Sequence, residues 1–416
     1  MTSHYELVII GFGVSGIAMA RAAQKKGIKY IVLETSDNCG GVWNNAFDTS
    51  RLQTHWKNYR FSDYKKKYES NFPFSREILE YIQEYNNKYK FNVKYNSRVT
   101  ECKYIKERNE WQIDFKSNDK SDTGTGTVST LYSNYLSVCS GYYNVPRKIP
   151  GLSNFKGDII KYNKFSKIGL KNKKILIVGN GASCVDVLKH WKANGLYDEI
   201  KSIDISYKTD KFFLNSYFAR FISLFVNKYF LKFLRYIPHW LLILMIFCFC
   251  KFNGHIPKVK FTADNVVASG IIIDLERSGE IRYINSQVAC ALGKKVLFTN
   301  GTVGEYDIII NKCGYQKNID FMNIIDIDSE LGYNFSLINR IPQCAFIGFA
   351  PSANWTRISE AQANWWSSIV SGDLEMPSTK QQTDFVAKYT KLDGDSRSFN
   401  DLTYESLEFA ENLLKI

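Results

Sequence analysis

Glu6-Leu7-Val8-Ile9-Ile10-Gly11-Phe12-Gly13-Val14-Ser15-Gly16 stands near the start of the chain, and Lys29-Tyr30-Ile31-Val32-Leu33-Glu34 follows shortly after it. The apolar run ending at Gly11 reads as a strand, Ile17–Gln24 as a helix and Lys29–Leu33 as a second strand, together one β-α-β unit. Three glycines at this spacing have separate tasks. Gly11 permits a tight turn, Gly13 lets the backbone approach a pyrophosphate, and Gly16 allows the helix to pack close to the strand. The helix N-terminus offers free N–H groups and the positive end of its dipole to phosphates. Glu34, at the end of the second strand, is placed to accept from ribose hydroxyls. An acid there disfavours a 2′-phosphate, so this cradle suits FAD or NAD rather than NADP.

Gly40-Gly41-Val42-Trp43 follows. Two glycines let the backbone crowd a flat ring and Trp43 can wall it, which beside Glu34 favours a flavin; a turn with a core tryptophan is the plainer reading. At Lys173 the pattern restarts. Ile175–Val178 reads as a strand, Gly179-Asn180-Gly181-Ala182-Ser183-Cys184 repeats the glycine spacing with Cys184 in the third place, and Val185 begins a helix. A strand over Ser202–Ile205 should end near Ser206. Lys208, just beyond it, is a cation for a 2′-phosphate, which favours NADPH; read plainly, it is one surface lysine in a basic chain, and Asp204 is the residue that would favour NADH. Two cradles in one chain imply hydride transfer from a nicotinamide to a flavin.

The rest of the chain sets bounds. Its 416 residues suffice for two domains, or one inserted in another, and 45% apolar with 23% charged residues is globular composition. Met1 to Glu6 is short and polar, so no signal peptide is expected. The nine cysteines lack regular spacing; Cys248 and Cys250 form C-x-C, and all read as reduced thiols of a cytoplasmic protein. The net charge of +13 is spread along the chain as solvated lysines, and no basic block resembles a nucleic-acid motif. Ser75–Tyr89 has helical periodicity, Val93–Val138 alternates as a meander with a hairpin loop over Asn118–Thr127, and Val145–Gly157 is a link. Phe212–Phe252 is rich in aromatic and aliphatic residues, but its uncharged core, Trp240–Cys250, is shorter than the roughly 20 apolar residues a membrane span needs. It reads as a buried helical hairpin, or as a segment dipping into a membrane surface or lining a substrate channel, helped by Lys228, Lys232, Arg235 and Lys251. Strands are expected over Gly270–Asp274 and Tyr306–Asn311, and helices over Ser359–Trp366 and Leu402–Leu414.

In the order and spacing of these pieces the chain resembles the flavin-containing monooxygenases, most of all their plant-type branch, over nearly its whole length. The resemblance adds Arg51-Leu52-Gln53-Thr54, Phe61-Ser62-Asp63, Cys139-Ser140-Gly141, Pro150-Gly151, Phe155-x-Gly157 running to Phe165, Cys313-Gly314-Tyr315 where the family has Ala-Thr-Gly-Tyr, and Glu360-x-Gln362. It implies an α/β fold with two Rossmann-like domains: a discontinuous FAD domain, 1–167 and 330–416, and an NADPH domain, 168–329, with the aromatic insertion at about 212–252 inside it. It places FAD against Gly11, Phe12, Gly13, Val14, Ser15, Gly16, Glu34, Gly41, Val42, Trp43, Val99 and Gly141, and NADPH against Gly179, Gly181, Ser183, Cys184, Val185, Asp186 and Lys208. Thr54 and His55 fall between flavin and nicotinamide, His55 being the candidate catalytic residue, bonded to flavin or NADP+ or else a structural histidine. The implied chemistry is oxygenation of a small nitrogen or sulfur compound by O2 through a C4a-hydroperoxyflavin, with no metal. The chain departs from the family at Lys161, where the family has histidine, at His55, where it has asparagine, and at Cys184. Those departures leave open an uncoupled enzyme or a non-catalytic flavoprotein acting as a binding module. A Baeyer–Villiger oxygenase is a further alternative, against which Phe165 counts, since the related motif ends in tryptophan. A dithiol–disulfide reductase is excluded by the lack of any C-x-x-C pair.

Overall fold

The computed structural model describes residues 3–52, 54–117, 128–141, 143, 145–160, 169–213, 244, 248, 251, 266–267, 269–350 and 355–390. The opening run forms strand β1 (His4–Ile10), followed by helix α1 (Val14–Lys25) and β2 (Tyr30–Leu33), which lies parallel to β1 with Leu33 opposite Ile10. Leu7, Val8, Ile9 and Ile10 are all buried, because helices and a second layer cover both faces of the strand. Helix α2 (Ser75–Tyr89) turns Ile78, Tyr81, Ile82 and Tyr85 inward. Then come β3 (Val93–Lys94), β4 (Ser97–Ile105), β5 (Glu110–Ser117) and β6 (Val128–Val138), which complete the order β3-β2-β1-β6-β5-β4. The meander β4-β5-β6 is antiparallel, while β6 runs parallel to β1.

A second sheet begins with β7 (Asp158–Ile160) and β8 (Lys174–Val178), continues through helix α3 (Ala182–Ala193) to β9 (Ser202–Ser206), and is reached again after the short pair β10 (Phe212–Phe213) and β11 (Val266–Val267). Helix α4 (Ile271–Arg277) leads to β12 (Ile281–Ile284). An antiparallel three-stranded sheet follows, β13 (Val288–Leu292), β14 (Lys295–Phe298) and β15 (Val303–Glu305), and then β16 (Ile308–Asn311). The five-stranded order β12-β9-β8-β16-β7 is parallel throughout. After α5 (Ile327–Glu330), β17 (Cys344–Phe346) returns to the first sheet beside β6; α6 (Trp355–Val370) packs on α1, and α7 (Thr379–Thr390) follows. This is the expected architecture of two dinucleotide-binding units, one interrupted by the other.

Two placements differ from the sequence reading. Gly270–Asp274 was expected as a strand from its run of isoleucines, but Ile271–Arg277 is helical, with Ile272, Ile273 and Leu275 buried in the core that α3 also lines. Packing on one helical face overrode the β-branched preference. The passages between the sheets also lie outside the expected boundaries at 167/168 and 329/330. Strand β7, upstream of 168, belongs to the second sheet, and Ile319, Ile324 and Ile327, upstream of 330, pack into the core of the first. The two passages meet where Pro146 bridges Tyr315, with Arg147 N donating to Gly314 O at 2.9 Å, Gln316 N to Val145 O at 2.7 Å and Asn311 Nδ2 to Arg147 O at 2.6 Å. The readings of the Asn118–Thr127 loop, Lys161, Phe165, the Leu402–Leu414 helix and nearly all of Phe212–Phe252 lie outside the described residues. Among those described, no helix is long and apolar enough to cross a membrane.

Candidate functional site

The first glycine turn is built as its sequence requires. Gly11 has φ +95°, and a side chain on it would stand 2.8 Å from Cys139 O; a Cβ on Gly16 would lie 1.9 Å from Gly11 O. Both glycines serve close packing of β1, α1 and the end of β6. Gly13 differs, since a Cβ there meets nothing nearer than Gly41 Cα at 3.5 Å. Its glycine identity is therefore not demanded by the protein's own packing, as expected where the space above is meant for a ligand. Val14 and Ser15 begin α1, and Ser15 Oγ shares a 3.0 Å hydrogen bond with Ser359 Oγ of α6. Phe12 is buried, edge-on to Phe91 and Tyr95. Its N–H donates to Glu34 Oε2 at 2.6 Å, while Ser36 N donates to Glu34 Oε1 at 2.8 Å. Glu34 thus fixes the glycine turn directly, and each oxygen retains lone-pair capacity for a ribose hydroxyl.

Gly41, Val42 and Trp43 form a short 3-10 helix over Gly41–Asn45, facing Gly13. Trp43 Nε1 donates to Tyr59 Oη at 2.6 Å, which orients the indole. Just beyond, Asn44 Nδ2 and Thr49 Oγ1 are buried polar atoms with no hydrogen-bond partner among the described residues. Buried polar groups are rarely left so, and a polar ligand edge would satisfy them. A glycine-faced cradle, an acid at the strand end and orphaned polar atoms beside the Gly-Gly-x-Trp turn fit an FAD. Val99, on β4, is buried, and Gly141, with φ +71°, has open space beside its Cα.

Thr54 is half-buried. His55 is buried, stacked on Trp56 and edge-on to Phe72. Its Nδ1 accepts from Lys57 N at 3.1 Å, capping the 3-10 turn Trp56–Asn58, and a side-chain hydrogen bond joins it to Asn71. Burial, then Lys57 and Arg60, hold its pKa below the ordinary value against the opposing Asn71 bond. This geometry gives His55 the duties of a neutral cap.

The second turn repeats the first. Gly179 has φ +112°, and a Cβ on it would fall 2.1 Å from Lys312 O, whereas a Cβ on Gly181 would meet no atom within 4 Å. Cys184 is fully buried beneath the first turn of α3, and burial pushes its thiol up to about 12, so it packs as a small neutral residue. Val185 is buried beside it, while Ser183 and Asp186 are half-buried. Asp204, weighed as a ribose acid, lies mid-strand in β9, where Arg282 Nε at 3.2 Å and Tyr306 Oη at 2.5 Å donate to it. Ser206, at the strand end, turns its hydroxyl to Ser286 O at 2.6 Å. Lys208 is exposed just past that end. An open Gly181, a free helix N-terminus and no acid at the strand end fit a dinucleotide bearing a 2′-phosphate.

The two cradles adjoin. Phe47, which follows the Gly-Gly-x-Trp turn, stacks on His190 of α3 with ring centres 4.4 Å apart, and Ser50 hydrogen-bonds the Asp186 carboxylate. Glu360 holds Ser62 through both N–H and hydroxyl, at 2.9 Å each, and Gln362 accepts from Gly348 N at 2.8 Å. The Glu360-x-Gln362 piece therefore ties the Phe61-Ser62-Asp63 loop and the β17 end to α6. Sequence reading missed Gly348: with φ +83° and a Cβ position 2.0 Å from Ser15 Oγ, it lies against the first turn of α1. No glycine repeat marked it. All described cysteines are free thiols.

Residues 8–212 match the pyridine nucleotide-disulphide oxidoreductase family. Along its whole length the chain is similar to a protein of Arabidopsis thaliana assigned as flavin-containing monooxygenase 2, with 25% identity over 100% of this chain and 97% of that one. Its fold is similar to that of an S-allyl-L-cysteine S-oxygenase from Allium sativum, at TM-score 0.64 and 18% identity over 100% of this chain and 88% of the other. It is also similar to a cyclohexanone monooxygenase from Rhodococcus sp. Phi1 bound to NADP+, at TM-score 0.76 and 14% identity over 100% and 97%.

Proposed function

The chain is a relative of the flavin-containing monooxygenases, and on that premise we propose that it is an FAD- and NADPH-dependent monooxygenase acting on a small organic compound, with a nucleophilic nitrogen or sulfur as the atom oxygenated. The carrying observation is the adjacency of the cradles: the segment Phe47–Ser50, continuous with the flavin-side turn, packs on the helix that opens the second cradle. The overall reaction takes NADPH, a proton, O2 and substrate to NADP+, water and oxygenated substrate.

FAD, when bound, supplies hydride acceptance and O2 activation, neither of which side chains can provide. The chain's residues bind, orient and exclude water. Gly11 and Gly16 pack the turn closely, Gly13 admits the FAD pyrophosphate to the α1 N-terminus, and Glu34 takes the ribose while bracing the turn through Phe12 N. Gly41, Val42 and Trp43 crowd the ring system, with Val99 and Gly141 completing its surroundings. On the second side, Gly181 admits the NADPH pyrophosphate beside Ser183 and Cys184 in the first turn of α3, Asp186 ties that helix to Ser50, and Lys208 meets the 2′-phosphate. His55 holds the start of the 3-10 turn Trp56–Asn58 in place as a neutral cap, so no side chain is asked for acid–base work. Buried apolar groups around Trp43, Trp56 and Phe72 keep water from the reacting centre.

The test is turnover of FAD-loaded protein with NADPH and a panel of tertiary amines, thioethers and ketones under heavy-isotope oxygen gas. Label in an N-oxide or S-oxide supports the proposal. Label in an ester or lactone makes it a Baeyer–Villiger oxygenase, the reading for which the fold likeness to cyclohexanone monooxygenase keeps ketones in the panel. NADPH consumption that yields only hydrogen peroxide with every substrate would overturn it.

A further inference from the structure

Lys312 stands where the flavin-containing monooxygenases have the alanine of Ala-Thr-Gly-Tyr, immediately past the end of β16. In the order β12-β9-β8-β16-β7 the chain leaves β8 on one side for β9 and later returns on the other with β16. The crevice beyond the carboxyl ends of β8 and β16 is thus the switch point where open α/β sheets take ligands. The ribose-binding position lies at the end of β9, so a dinucleotide in this crevice puts its adenosine half over β9 and its nicotinamide half over β16.

The backbone of Lys312 is locked to the glycine turn: its N–H donates to Val178 O at 2.8 Å, and its carbonyl fills the space a Gly179 side chain would need. Its ammonium is 6.0 Å from the centre of the Phe47 ring and is close enough to Cys184 and Asp186 for their charges to act on it. Burial lowers its pKa to about 8, against the opposing pull of those two groups. Burial likewise pushes the Asp186 carboxyl up, opposed by its Ser50 bond and by Lys189 and Lys312. A cation beside a helix N-terminus adds to a potential that is already positive, which the Asp186 carboxylate offsets only in part by its charge. A phosphate arriving between the α3 N-terminus and Lys312 meets that positive potential from both sides.

We propose that Lys312 is a positioning residue of the second nucleotide site, its ammonium holding the nicotinamide-side phosphate of NADPH at the carboxyl end of β16. This rests on the reading of the second cradle as the NADPH site. The phosphate then has donors on both sides, N–H groups of α3 and the ammonium opposite, which fixes how far the nicotinamide half reaches toward the flavin-side segment Phe47–Ser50.

The test compares wild type, Lys312→Met and Lys312→Arg, each as FAD-loaded full chain, by calorimetric titration with NADP+ and with 2′,5′-ADP, which lacks the nicotinamide-side phosphate. Loss of a charged hydrogen-bond donor predicts NADP+ binding about ten- to a hundredfold weaker in Lys312→Met. Binding of 2′,5′-ADP should be unchanged, and Lys312→Arg should recover most of the NADP+ affinity. Wild-type NADP+ affinity should also fall as pH rises through about 8, where Lys312 loses its proton. The charged and titratable groups that act on it are Asp186 and Cys184 of α3, Asp186 being itself under the charge of Lys189, while the Phe47 ring beside the ammonium stacks on His190; Cys184 stays protonated in that range. The pH dependence should vanish in Lys312→Met. Unchanged NADP+ binding in that variant overturns the proposal and leaves the NADPH reading standing, and equal loss of both ligands overturns it in favour of a structural lysine. Failure of wild type to bind either ligand overturns the NADPH reading itself.

Discussion

Gly181→Ala separates the second cradle's folding from its function. Gly181 caps α3 with φ −79° and ψ −172°, a conformation open to any residue, and a Cβ there meets no atom within 4 Å. Alanine is a poorer N-cap than glycine by several tenths of a kcal/mol or more, and it narrows the unfolded ensemble by about 0.4–1 kcal/mol, so the two effects nearly cancel. Melting temperature and flavin content should match wild type. The methyl, however, extends about 1.5 Å into the path of the pyrophosphate. A phosphate pushed back that far leaves the roughly 2.9 Å range of an N–H···O bond. Each charged hydrogen bond so lost costs about 1.5–3 kcal/mol, so NADP+ should bind at least about tenfold to a hundredfold more weakly. Titration of NADP+ into the FAD-loaded variant, followed by flavin difference absorbance, measures this. Wild-type NADP+ affinity in Gly181→Ala would refute the assignment of this cradle to NADPH.

Three further outcomes follow from the first unit. Glu34→Ala orphans the buried N–H of Phe12 and frees that of Ser36, so it should lower stability by about 1–3 kcal/mol and leave the purified protein without flavin, read by denaturant melts and absorbance. Glu360→Ala releases the Phe61-Ser62-Asp63 loop from α6 and should raise proteolytic cutting near Ser62, mapped by mass spectrometry, while NADP+ binding stays intact. Asp63 is pushed up by burial, but bonds from Tyr85 and Arg21 and the charge of Lys25 outweigh this and hold its pKa below the ordinary value. A depressed folded pKa means stabilisation that is complete above about pH 4 and lost as pH falls through the folded value. Asp63→Asn should therefore lower the melting temperature at neutral pH and flatten its decline below about pH 4.

Both glycine turns were legible in the sequence because their demands are local: a positive φ and a blocked Cβ position at Gly11 and Gly179 leave few residues to choose from, and the open Cα of Gly13 and Gly181 follows them at fixed spacing. Gly16 and Glu34 were legible for the same reason. Contacts made between distant segments were not. Nothing local distinguishes Lys312 from the many surface lysines; only the strand order puts it at the switch crevice. Gly348 looked like any loop glycine until β17 returned to the first sheet and set it against Ser15. His55 is read from the resemblance as standing between flavin and nicotinamide or as a structural histidine, and its capping bond to Lys57 depends on a turn that periodicity does not mark. The isoleucines at 271–273 misled because a β-branched run carries strand preference but not the partner that decides its conformation.

Anaerobic mixing of the FAD-loaded chain with NADPH examines the pairing of the two cradles most directly. The flavin should bleach to its reduced spectrum with one NADPH oxidised per flavin, and Gly181→Ala should do so only at much higher NADPH. Flavin that stays oxidised while NADP+ binds normally would mean that the two nucleotides never meet, and the oxygenase proposal would be wrong.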